Sequence, residues 1–172
     1  MSDLFDRVTE DQDPITRIAS KIPGFGGYIE RQTRRSADKL LRESMASAYE
    51  ELVKRVSDIQ KDLVSGGEIG VLDDLETAVM KMQTFVDKIR NASYGYSGFF
   101  DAVKINEDEL AQIYHYDLSM LEMRDEVSRA IDNLEQSIGT EGLPAAIRHL
   151  IGLSRDLVAA YEKRDEVVMA LS

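Results

Sequence analysis

Chemistry in this chain would have to come from few residue types. There are only two histidines, His115 and His149, and no cysteine, so thiolate metal sites, disulfides and cysteine nucleophiles are impossible. A carboxylate-bridged di-metal centre in a helical protein needs inward glutamates and Glu-x-x-His pairs on facing helices. Neither histidine has a glutamate three residues before it, and the two fall on different predicted helices without a His-x-x-x-His partner. Pro23-Gly24-Phe25-Gly26-Gly27 matches neither GxxxxGK[ST] nor a strand followed by GxGxxG, and no Gly-x-Ser-x-Gly occurs. The residues therefore argue against an enzyme and imply no cofactor, no metal and no catalytic group. A metal or small-molecule enzyme stands third among the functional readings.

Charge is the second resource. The chain is acidic, with a formal net charge of −11, which argues against nucleic acid as a partner. Residues 15–42 depart from that average. They hold Arg17, Lys21, Arg31, Arg34, Arg35, Lys39 and Arg42 against only Glu30 and Asp38. This island could grip an acidic protein, a phosphate or anionic lipid headgroups, with Ile15, Ile18 and Ile22 as an interfacial apolar face. The favoured reading is that it is paired internally, through Glu30 with Arg34 and Asp38 with Arg42 at i,i+4 spacing.

The elements that position these groups follow from periodicity. Asp13-Pro14 reads as an N-cap with proline in the first turn of a short helix, ITRIASKI, that stops before Pro23. The Pro-Gly run after it favours a bend over regular structure. A first long helix is expected from about Tyr28 to Ser65, where Gly66-Gly67 ends it, with Ala37, Leu41, Met45, Ala48, Leu52, Val56, Ile59 and Leu63 inside. A second, about Leu72 to Asn91, carries a heptad seam. The third opens on Asn106 with Glu109 three residues on, a capping box, and runs to Ile138; the fourth follows Thr140 or Leu143 to the end. Residues 92–105, ASYGYSGFFDAVKI, break the heptad and read as an aromatic connector. The fold expected is all-α: a four-helix antiparallel bundle over 28–172, with a short N-terminal helix and Pro/Gly break over 1–27 packed on it, and an aromatic connector between the second and third long helices. No apolar run reaches the roughly 18 residues that span a bilayer, and the opening residues lack a signal h-region. The expectation is a cytoplasmic protein with no transmembrane segment.

Geometry then concentrates the unusual residues. If the Gly66 to Val71 and Gly139 to Leu143 links lie at one end, the second helix runs out near the level of Met45. The upper part of the first helix must then be covered by the short helix, the Pro-Gly break and the connector. Arg34 and Asp38, Asp117 between Tyr114 and Leu121, and Arg164 between Tyr161 and Val168 all interrupt apolar seams near that end. Buried charges require partners, so a network of Arg34, Asp38, Asp117 and Arg164 is expected. Arg31, Arg34, Arg35, Lys39, Tyr94, Tyr96, Phe99, Phe100 and His115 are candidates for contacting a partner or an anion.

Two segments, IPGFGGYIERQTRRSADKLLR from Ile22 to Arg42 and YSGFFDAVKINEDELAQIYHYDL within Gly95 to Leu118, resemble an uncharacterised bacterial all-helical protein family. That resemblance implies a helical fold and no particular reaction or ligand. The leading expectation is a non-enzymatic helical scaffold or protein-interaction module using its basic, aromatic end to contact a protein partner or itself. The alternative is a peripheral anionic-membrane or anion-binding protein acting through residues 15–42.

Overall fold

In a computed structural model of the chain, the described residues are 13–30, 34–92 and 105–171. They are all-α, with no strand among them. Helix α1 spans Pro14–Lys21, α2 Phe25–Glu30, α3 Arg34–Ser65, α4 Leu72–Arg90, α5 Glu107–Ser137 and α6 Leu143–Leu171. No helix is long and apolar enough to cross a membrane.

Local chemistry accounts for most boundaries. The Asp13 carboxylate accepts from the Ile15 amide at 3.1 Å, and proline follows in the first turn of α1. Gly24, at φ +90°, turns the chain from α1 into α2 in a conformation that side chains resist. The sequence pattern placed the whole Pro23–Gly27 run in a bend, but the bend is confined to its first residues. Gly26 lies inside α2, where an added Cβ would meet the Ala19 Cβ at 3.5 Å, so the missing side chain lets α1 and α2 approach closely. At the end of α3, the Glu68 amide donates to the Leu63 carbonyl and the Gly67 amide to Val64, with Gly67 at φ +80°. That is a Schellman ending. A 3-10 turn at Ile69–Val71 then leads into α4. Asn106 and Glu109 form the reciprocal capping box that starts α5.

Packing joins the four longest helices in a closed ring, α3 on α4, α4 on α6, α6 on α5, and α5 back on α3. The α3–α5 contact is the loosest of these, and α1 and α2 pack beside it, α1 on α5 and α2 on α3. Ile18, Ile22 and Phe25 belong to the same buried core as Leu41, Met45, Ile113 and Leu157. Tyr49 helps hold the loose side, donating to the Met120 carbonyl at 2.5 Å and meeting the Phe85 ring edge-on at 4.8 Å. Ala48, placed inside by periodicity, is only half-buried, because Tyr49 turns inward instead.

The Asn106 cap matters because α5 carries Tyr114 and Asp117 in its first turns. Asn106→Ala should lower unfolding free energy by about 1 kcal/mol in chemical denaturation. A change within about 0.2 kcal/mol would show that the cap does not hold the start of α5.

Candidate functional site

Four charged side chains meet inside the upper ring. Arg164 of α6 and Asp117 of α5 are 0% exposed, and Asp38 of α3 is 1% exposed. The Arg164 Nε donates to Asp117 Oδ1 at 2.5 Å, while Nη2 donates to Asp38 Oδ1 at 3.0 Å and to Asp117 Oδ2 at 3.3 Å. Arg42, one turn along α3, donates from Nε to Asp38 Oδ2 at 2.8 Å. Its Nη1 reaches the Ile89 and Arg90 carbonyls at 3.4 and 3.3 Å, at the C-terminus of α4. A helix C-terminus leaves carbonyls unpaired and carries partial negative charge, so an arginine there is doubly favourable. Two carboxylates and two guanidiniums thus bond to one another and to all four long helices.

Electrostatics follow from burial. The Asp117 carboxyl is pushed well above its ordinary value by loss of water, and the charge of Asp38 adds to this while Arg42 opposes it. Burial also pulls the Arg164 guanidinium down from its usual range, against the attraction of Asp38. The Tyr114 hydroxyl is buried beside the cluster with no hydrogen-bond partner among the described residues. Burial raises its phenol well beyond the ordinary tyrosine range, with Asp38 and Asp117 adding. Its ring packs edge-on against Phe25 of α2, centroids 5.4 Å apart, so α2 covers this end of the cluster.

The structure brings Asp38, Asp117 and Arg164 together and leaves Arg34 out. Arg34 instead donates from Nη1 to the Ile105 carbonyl at 3.0 Å, and Arg42 takes the place proposed for it. Both arginines sit one turn from Asp38, and the open α4 carbonyls decide between them. Sequence reasoning paired Arg42 with Asp38 but missed its contact with α4. The signal was present, since α4 was expected to end near this level.

The remaining candidates scatter. Arg35 and Lys39 are exposed on the outer face of α3, Lys39 reaching Glu43 only at 4.0 Å. Arg17 pairs with Glu122 of α5. His115 and His149 are both exposed. Arg31, Tyr94, Tyr96, Phe99 and Phe100 lie outside the described residues, as do most of the connector and the Glu30 side chain. No group of histidine, aspartate and glutamate suited to a metal ion occurs among the described residues. The interfacial face expected of the short helix does not exist as drawn: Ile18 and Ile22 are in the core, because they cover the part of the bundle that α4 is too short to reach. Ile15 is only partly buried and lines a cleft at this end.

Among the described residues this end carries a cleft of about 420 Å³, lined by Ile15, Ile29 and Leu110, with Arg34 on one side and Glu107 and Asp108 on the other. Comparison with known proteins finds no matching family model, no matching curated protein and no matching solved structure.

Removing one partner from a buried ion cluster leaves charge uncompensated. Arg164→Met should therefore cost about 3–5 kcal/mol near neutral pH. A carboxyl whose folded-state value is raised contributes stability below its ordinary value, here 3.8, and loses it as pH rises through the raised value. Losing Arg164 raises Asp117 further, so the deficit of the variant should narrow as pH falls toward that value. Denaturant titrations across the acid range check this; a deficit that widens with acidification would refute the assignment.

Proposed function

We propose that this chain is a non-enzymatic helical scaffold that self-associates through the end carrying Arg34, Arg35 and Lys39. Its four long helices form an antiparallel four-helix bundle, and α1 with α2 cap it. Cross-helix pairs support that topology. Gln60 bonds Glu76 while Glu50 bonds Arg90, which runs α3 against α4, and Arg55 pairs with Asp132 and Glu135 of α5 far from the Asp38–Arg164–Asp117 cluster. Absence of cysteine fits a reducing, cytoplasmic setting.

The observation that carries the reading is the sign pattern around the cleft. Its floor is apolar, its α3 side basic and its α5 side acidic, with Arg35 and Lys39 exposed on α3 nearby. Two-fold self-contact places the same patch on both copies, so the basic side of one copy faces the acidic side of the other. The buried charges are engaged in bonds between helices, which supports a structural rather than a reactive role for them.

Charge exchange tests the idea without disturbing the core, since Arg35 and Glu107 are exposed. Wild type should run as a dimer in light scattering. Arg35→Glu and Glu107→Lys should each dissociate it, and mixing the two variants should restore a mixed dimer. A monomeric wild type, or a dimer indifferent to both substitutions, would overturn self-association here and leave a different protein as the partner to seek.

A further inference from the structure

A second cavity, of about 330 Å³, lies on the flank of the bundle between the end of α1, the middle of α3 and the middle of α5. Its apolar wall is Ile22, Ala48 and Leu121, and its polar groups are Lys21, Ser44, Arg124 and Asp125. The Nε–H of Arg124 is buried and meets no hydrogen-bond acceptor among the described residues. A buried N–H left unbonded is costly, and the Arg124 side chain as a whole is 42% exposed, so its guanidinium can reach an acceptor in the cavity. The nearest carboxylate, that of Asp125, stands 3.7 Å from Nη1, too far for a good bond. Glu122, two residues before Arg124, is paired with Arg17. Lys21 is exposed and makes no ion pair among the described residues. The cavity therefore presents two cations against one loosely held anion, beside a hydroxyl and an apolar wall.

We infer that this cavity binds a small carboxylate with a short apolar tail. The carboxylate accepts from Arg124 and Lys21, which compensates the buried donor, while the tail lies along Ile22, Ala48 and Leu121. A cavity of this size is at the small end of ligand pockets, which fits a chain of several carbons and excludes large cofactors. The site is separate from the cleft at the end of the bundle and shares no lining residue with it.

Hexanoate is the probe, with hexanol and hexylammonium as neutral and cationic controls, each titrated into the full chain and followed by backbone amide NMR. Saturable shifts at Ile22, Ala48 and Leu121 with hexanoate, and much weaker ones with both controls, are expected. Arg124→Gln should weaken hexanoate roughly tenfold, and Lys21→Gln should weaken it less. Lys21 is exposed, so that variant keeps the test valid if Arg124→Gln does not fold. Equal response to hexanol, no saturable shift, or hexanoate binding indifferent to both substitutions would overturn the proposal.

Discussion

Charges withdrawn from water must neutralise and bond one another, and that constraint organises the upper half of this protein. Asp38, Asp117 and Arg164 are enclosed on all sides, and Arg42 completes their balance with two positive and two negative groups. Each of α3, α5 and α6 contributes a member, and α4 contributes the carbonyls at its end. Such a cluster is a poor source of net stability compared with an apolar core of the same volume. A packing that shifts one helix by a turn would leave a buried charge without its partner.

The short α4 follows the same logic. It ends where Arg42 can meet its last carbonyls, and above that level α3 and α5 need another cover. The first two helices supply it. Ile18, Ile22 and Phe25 extend the apolar core upward, and the Phe25 ring against Tyr114 closes the space beside the ion cluster. At the end of the bundle the cleft by Arg34 lies open and Arg35 and Lys39 are exposed; on the flank, Lys21 and Arg124 line the second cavity.

Much of this was legible in the residues. Long helices announce themselves through apolar spacing, and the Asn106 cap, the Gly67 ending and the Asp13-Pro14 start are local chemistry that needs no tertiary information. Asp38, Asp117 and Arg164 stood out because each interrupts an apolar seam. The choice of Arg42 over Arg34 was not legible, since both lie one turn from Asp38 and only the position of the α4 carbonyls and of Ile105 separates them. Helix α2 was hidden by its glycines, whose low helix propensity is overridden by the close approach of α1. The burial of Ile18 and Ile22 was ambiguous for a similar reason: an amphipathic helix declares an apolar face without saying what covers it. The flank cavity left no sequence signal, because its cations come from helices that are distant along the chain.

Native-state hydrogen exchange is the most direct test of the claim that the ion cluster locks the four helices together. Amides of residues 117–121 in α5 and 164–168 in α6 should exchange only through global unfolding, with the same free energy and denaturant dependence as those around Ile131 in the lower bundle. Protection there that is clearly weaker, with a shallow denaturant dependence, would mean that the upper end opens on its own and that the cluster does not hold it.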